Sequence, residues 1–95
     1  MSEVGKPFKL RITGPAARAL AGRLPDKIAA AVHEFITTAL LDNPRRLGKR
    51  LRLPPYEGTW SARRGSYRVL YEIDDEHRTV TVTAIEHRSD AYRSR

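Results

Sequence analysis

The sequence has no cysteine, a single tryptophan, and aromatic side chains at only 7% of its positions. Without cysteine, a disulfide framework, a thiolate zinc site and a cysteine nucleophile are all excluded. No run approaches the roughly 18 apolar residues of a membrane span. The first residues also lack the apolar stretch of a secretory signal. We therefore expect a cytoplasmic protein with no membrane association.

Acidic residues are scarce: 11 Asp and Glu stand against 18 Lys and Arg, so the net charge is 18 − 11 = +7 over 95 residues. A chain of this length buries roughly 60–68% of its unfolded surface, which suits one hydrophobic core. We predict a single domain over residues 1–95. The excess of positive charge favours a polyanionic partner such as nucleic acid, the ribosome or an acidic protein.

The order of patterns along the chain predicts an α+β fold. Residues 8–12 alternate like a half-buried strand. A short helical pattern follows from Pro15 to Ala21, and a longer one begins at Pro25 and ends before Pro44. From Thr59 onward the period changes to two, which predicts three strands over residues 59–64, 67–73 and 79–86. The last residues, 89–95, are predicted to form a short helix.

Basic side chains concentrate in two segments. The tract after Pro44 is predicted to be a loop, either a solvated connector or an anion-binding segment. Basic residues occur again in the strands that follow. The candidate RNA-binding residues from both segments are Lys49, Arg50, Arg52, Arg63 and Arg64.

Strand alternation separates Tyr67 and Val69 from Arg68. If the first two pack on the helices, Arg68 lies on the uncovered face of the sheet. Ile85 and His87 point together at the end of the last strand, with Arg88 immediately after. We therefore expect the basic groups of the loop, of the sheet and of the C-terminal end to converge on one concave surface.

Several common chemistries do not fit these residues. The acidic cluster at residues 74–77 is predicted to be a hairpin turn and not a metal site, since Asp is a common turn former. No glycine-rich phosphate loop and no serine-triad setting is present. We thus expect neither a metal nor a small-molecule cofactor. What remains is acid–base and electrostatic chemistry by Arg, His and Tyr, which suits attack of an RNA 2′-OH on its own phosphodiester.

Three runs of sequence carry a family resemblance. They are residues 48–52 (GKRLR), 56–75 (YEGTWSARRGSYRVLYEIDD) and 87–93 (HRSDAYR). Together they closely resemble the RelE toxins of bacterial type II toxin–antitoxin modules, within the RelE/ParE superfamily. The similarity is greatest to actinobacterial members and covers almost the whole chain.

The resemblance implies a microbial-ribonuclease-like fold, with a twisted antiparallel sheet, two N-terminal helices on one face and an RNA surface on the other. It implies a metal-independent endoribonuclease that cleaves mRNA in the ribosomal A site and so arrests translation and growth. An acidic, helical antitoxin would wrap and neutralise the toxin. Arg68 and Arg88 match arginines that stabilise the transition state, and Tyr92 matches a tyrosine assigned to base stacking or proton transfer.

The chain departs from the best-studied RelE pattern at three positions. That pattern has lysines where this chain has Thr59 and Ser61, and an arginine where it has Glu86. Because neither hydroxyl acts as a base at neutral pH, we expect His87 to take the proton. The alternatives are that Lys49, Arg52, Arg63 or Arg64 substitutes in part for the missing lysines, or that the catalyst is weaker. Two other functions stay open, a ParE-like inhibitor of DNA gyrase and a non-catalytic basic nucleic-acid-binding module.

Overall fold

The computed structural model describes residues 7–54 and 56–87. A five-stranded sheet has the order β1-β5-β4-β3-β2. The strands are β1 (Lys9–Ile12), β2 (Lys49–Arg50), β3 (Trp60–Arg64), β4 (Tyr67–Asp74) and β5 (Thr79–His87). The helices are α1 (Gly14–Arg18), continued by a π-helical turn (Ala19–Arg23), α2 (Asp26–Phe35), continued by a second one (Ile36–Leu40), and α3 (Pro44–Leu47).

The predicted α+β class is confirmed, with one addition at the edge of the sheet. The pairs β2–β3, β3–β4 and β4–β5 are antiparallel, whereas β1 pairs parallel with β5. A parallel pair needs a long crossover between its strands. The two N-terminal helices supply part of that crossover. The predicted C-terminal helix lies outside the described residues.

The hydrophobic core lies between the helices and one face of the sheet. Val32, Ile36 and Leu40 are at most 1% exposed, and they belong to one cluster with Val69 and Val82 of the sheet. These helix residues are spaced by four, so the predicted apolar stripe does face the sheet. Complete burial of such side chains contributes about 1.5–3 kcal/mol each. The side of the sheet opposite this core is called the open face below; Leu70 on that side is nevertheless buried, at 2% exposure.

The tract predicted as a loop is more ordered than expected. Pro44–Leu47 forms α3, and Lys49–Arg50 pairs with β3 as an edge strand. The Tyr71 hydroxyl is buried and donates a hydrogen bond to the Pro44 carbonyl, which fixes the beginning of α3. Burial raises the pKa of Tyr71 to about 12, so that this hydroxyl remains a donor at neutral pH.

A pair of charged side chains joins α3 to the β4–β5 turn. Arg45 donates to both carboxylate oxygens of Asp75, at 2.8 and 2.5 Å, and its guanidinium lies 5.9 Å from the centre of the Trp60 ring. Hydrogen bonding to Arg45 lowers the pKa of Asp75. Within the turn, the Asp74 carboxylate accepts the backbone N–H of His77 at 3.1 Å. The acidic cluster is thus a hairpin turn, as predicted.

Gly48 provides a test of how tightly this segment is packed. A Cβ at Gly48 would overlap the Tyr71 hydroxyl and approach the Ser61 carbonyl oxygen to 2.9 Å, whereas a Cβ at Gly22 would meet nothing within 4 Å. We expect Gly48→Ala to destabilise the protein by about 1–3 kcal/mol, as overpacking does. Gly22→Ala, the matched control, is expected to leave stability unchanged or to raise it by up to ~1 kcal/mol. Chemical denaturation measures both, and equal stability of the two variants would contradict this account.

Candidate functional site

The strand register decides which side chains share the open face. Arg63, Arg68 and Glu86 are cross-strand partners in β3, β4 and β5, and they form one row on the open face. In the neighbouring row, Lys49 of β2 lies opposite Ser61 of β3. Three cations from three strands therefore share one face, and charges placed in this way favour an anionic ligand.

Arg68 is held within this row by Glu86. Its Nε and one terminal nitrogen donate to Glu86 Oε1 at 3.1 and 3.0 Å. The two side chains are 32% and 28% exposed, so water still reaches the pair. Two of the five guanidinium N–H groups are used in this way, and the others are left for a further acceptor such as a phosphate oxygen.

His87 lies on the other side of the sheet. It is the cross-strand partner of Tyr67 and meets that ring edge to face, with ring centres 4.8 Å apart. Together with Arg64, both rings line a shallow cavity of about 310 Å³ against Val32 of α2. The expected convergence of His87 and Arg64 with Arg68 on one surface is therefore wrong.

A β-bulge is the physical reason for this difference. The β4–β5 register shifts between Leu70 and Tyr71, so that Leu70 pairs with Ala84 but Tyr71 pairs with Val82. Thr83 is the extra residue. Without it, alternation from Val82 would put Glu86 on the helix side and His87 on the open face. One inserted residue reverses the two faces for the rest of a strand. The bulge therefore places Glu86 on the open face and His87 on the helix side.

Of the other predicted site residues, four lie within the described part of the chain, in three different places. Lys49 and Arg63 are exposed on the open face with Arg68, whereas Arg50 pairs with Trp60 on the helix side. Arg52 is exposed in the segment after β2. Arg88 and Tyr92 lie outside the described residues.

Sequence reasoning noted Glu86 only as a departure from the RelE pattern and missed its role as the partner of Arg68. A signal for the bulge was present, because the apolar residues Val80, Val82 and Ile85 are spaced by two and then by three. Within residues 7–54 and 56–87, no group of three His, Asp or Glu side chains is placed to hold a metal ion. In the same part of the chain, no helix combines the length and the apolar character that crossing a membrane requires.

Comparison with known proteins identifies the family. A family profile described as "ParE toxin of type II toxin-antitoxin system, parDE" matches residues 10–92. The chain belongs to the RelE/ParE family of type II toxins. It is 55% identical over 87 residues to Toxin RelE of Mycobacterium tuberculosis (strain ATCC 25618 / H37Rv), covering 92% of this chain and 88% of that protein. Toxin RelG of the same strain is 51% identical over 87 residues, with 92% and 98% covered.

A solved structure of high sequence identity agrees with this assignment. The crystal structure of the toxin–antitoxin complex RelBE2 from Mycobacterium tuberculosis matches with a TM-score of 0.81 and 49% identity, covering 87% of this chain and 100% of that one. The archaeal RelE–RelB complex from Pyrococcus horikoshii matches with a TM-score of 0.69 at 21% identity, over 87% and 97% of the two chains. The archaeal match shows the fold alone.

Within this RelE-like toxin, Lys49 has a position that the sequence alone did not reveal. The RelE pattern has a lysine where this chain has Ser61, and Lys49 is the direct cross-strand neighbour of Ser61 on the open face. Directly paired positions have Cβ atoms about 4.5–5.5 Å apart. The edge strand therefore brings an ammonium group close to the place where the pattern has one.

Proposed function

We propose that this RelE-like toxin is a ribosome-dependent endoribonuclease that cleaves mRNA in the ribosomal A site and thereby stops translation and growth. The observation that carries the proposal is the position of Arg68, half-buried on the open face beside its exposed cross-strand partner Arg63. The exposed Lys49 lies on the same face, two strands away. Two findings support the proposal: the chain belongs to the toxin family, and its sequence is 55% and 51% identical to proteins named RelE and RelG.

The proposed reaction is in-line attack of the RNA 2′-OH on the adjacent phosphodiester. The substrate supplies the nucleophile, so no metal-bound hydroxide is needed. Arg68 stabilises the charge that develops on the phosphoryl oxygens, since its planar fork matches two such oxygens and stays protonated. In this proposal Arg63 and Lys49 hold neighbouring phosphates. Arg88 and Tyr92 keep the roles that the resemblance implies, transition-state stabilisation and base stacking or proton transfer.

His87 is not the base in this proposal. A general base must reach the proton that it abstracts, directly or through one water. The His87 ring packs against Tyr67 on the helix side of the sheet, whereas Arg68 is on the open face. A phosphate bound to Arg68 would therefore be separated from His87 by the sheet itself.

Expression of the chain alone is expected to arrest growth, and Arg68→Ala is expected to relieve that arrest. Loss of one group that stabilises transition-state charge lowers a cleavage rate by ~10²–10³. Arg11→Ala is the matched control, because it removes an equal charge from the open face at β1, where Arg11 pairs with Thr81. Primer extension on a translated message measures cleavage directly. An Arg68→Ala variant that is folded and fully toxic would show that the site is misplaced.

Primer extension on a translated message also separates this function from the second candidate, inhibition of DNA gyrase. That candidate is kept because the matching family profile carries the ParE description. A gyrase inhibitor would block supercoiling of plasmid DNA and leave messages uncut. A ribonuclease of the proposed kind would leave 2′,3′-cyclic or 3′-phosphate ends and 5′-hydroxyl ends. Products with 5′-phosphate ends would instead indicate a metal-dependent nuclease.

Two neighbouring arginines give a test of which face binds RNA. Arg63 and Arg64 are both exposed and adjacent in β3, but Arg63 pairs with Arg68 on the open face and Arg64 pairs with Tyr67 on the helix side. We expect Arg63→Ala to weaken RNA binding by about fivefold, which corresponds to ~1 kcal/mol for an exposed charge contact. It should also reduce by about one the slope of log affinity against log salt concentration, since one fewer phosphate is neutralised. Arg64→Ala should change neither quantity, and a larger effect of Arg64→Ala would place the RNA on the other face.

The proposed protein partner is a cognate antitoxin with an acidic, amphipathic helical segment that wraps the toxin. The matched Mycobacterium tuberculosis structure, at 49% identity, is a toxin–antitoxin complex, which supports this assignment. The net charge of +7 and the exposed cations of the open face are complementary to such a segment. Covering Arg68 would block the proposed site directly.

Association with the antitoxin is expected to slow as salt rises. Screening shortens the reach of exposed charges from ~10 Å at 0.1 M to ~3 Å at 1 M, and electrostatic steering is worth ~10–10³ in association rate. Stopped-flow measurements should show this loss, and Lys49→Glu should slow association further. Lys27→Glu in α2 is the control, because Lys27 is exposed on a helix away from the open face. Association that is indifferent to salt would contradict the electrostatic account.

A further inference from the structure

The proposed cleavage requires a proton acceptor on the open face, close to the phosphate that Arg68 binds. The described residues place three carboxylates on that face. The Asp74 carboxylate is hydrogen-bonded to His77 in the hairpin turn. Glu72 is the cross-strand partner of Thr81, on the other side of the bulge from Arg68. Only Glu86 among them contacts Arg68, and the bulge puts it there.

The geometry of the Arg68–Glu86 pair leaves a carboxylate oxygen of Glu86 and several N–H groups of Arg68 outside the pairing. Both hydrogen bonds end on Glu86 Oε1, at 3.1 and 3.0 Å, so Oε2 is not used by Arg68. The guanidinium likewise has N–H groups that Glu86 does not occupy. In a reactive conformer the attacking oxygen lies about 3–3.5 Å from its target atom. A phosphate on Arg68 thus brings the 2′-OH within reach of a carboxylate that is about 3 Å from the guanidinium.

We propose that Glu86 is the general base of the cleavage, an inference that rests on the proposed function. The Glu86 carboxylate takes the proton of the 2′-OH while the 2′-oxygen forms a bond to phosphorus. The bond from phosphorus to the 5′-oxygen breaks, and the departing oxygen takes a proton from water. Glu86 then returns its proton to the hydroxide that remains. The products are a 2′,3′-cyclic phosphate and a 5′-hydroxyl, with the active site unchanged.

The departure from the RelE pattern acquires a chemical meaning in this mechanism. Thr59 and Ser61 stand where the pattern has lysines, and neither hydroxyl accepts a proton at neutral pH. Glu86 stands where the pattern has an arginine. The chain thus lacks basic groups at these two positions, and in this mechanism the ammonium of Lys49 beside Ser61 holds a neighbouring phosphate. The proton acceptor has then moved to the carboxylate beside Arg68, on another strand of the same face.

Glu86→Gln separates the base role from a simpler one, competition with phosphate for Arg68. The amide keeps the size of the side chain and an acceptor oxygen, but it does not take the proton. We expect the single-turnover cleavage rate on programmed ribosomes to fall by ~10²–10⁴. The toxin concentration that gives half the maximal rate should stay the same or decrease, because Arg68 is released from its carboxylate. Glu72→Gln is the matched control. It also removes one negative charge from the open face, and this variant should cleave at the wild-type rate.

A second variant tests proton transfer itself. In Glu86→Ala, formate added at high concentration should restore part of the cleavage rate, whereas chloride at the same ionic strength should not. Restoration by formate is the result expected for a missing base. Formate that does no more than chloride, or a Glu86→Gln variant that cleaves as fast as the wild type, would overturn the assignment while leaving the proposed function intact. A wild-type chain that leaves the message uncut would overturn both.

Discussion

The β-bulge between β4 and β5 is the constraint on which the candidate site depends. Sheet side chains alternate, so a single extra residue exchanges the two faces for everything that follows it. Thr83 is that residue, and it is fixed from two sides. Its hydroxyl donates to the Leu70 carbonyl at 3.3 Å, and its own carbonyl accepts the Thr13 hydroxyl at 3.1 Å. The start of α1 therefore helps to determine which side chain lies beside Arg68.

A second constraint fixes the basic edge of the sheet. The Tyr71 hydroxyl reaches from the core to the Pro44 carbonyl, and Gly48 passes directly over it. Because this contact holds α3 and the following residues against β3, Lys49 is presented from a paired strand. A cation on a paired strand loses less freedom on binding an anion than one on a free loop. The buried core thus improves the presentation of an exposed charge.

The sequence was sufficient for the elements that obey a simple period. The alternation in β1, the stripe of Val32, Ile36 and Leu40, and the acidic hairpin turn were all predictable from local pattern. The family resemblance was likewise carried by contiguous runs of residues. The open-face position of Arg68 followed from the alternation of Tyr67 and Val69 around it.

What failed depended on contacts between residues distant in sequence. The two-residue strand β2 exists only because β3 is beside it, so that no periodicity in Lys49–Arg50 could reveal it. The places of His87 and Glu86 depend on the bulge, which requires the β4–β5 register and the Thr13 contact. Apolar spacing at Val82 and Ile85 signalled a change of phase. It did not by itself say which face carried the site.

The Arg68–Glu86 pair is better explained by the site than by the fold. Its side chains are about one-third exposed, and pairs of this kind contribute roughly 0–1 kcal/mol to stability. The pair uses two of the five guanidinium N–H groups and leaves the others for a further acceptor. In the proposed function a phosphate would therefore bind beside the carboxylate, with the Arg68–Glu86 pair intact. A pair that contributes little to the fold, and whose donors are not all used, would in the proposed mechanism hold Glu86 beside the reacting phosphate as the proton acceptor.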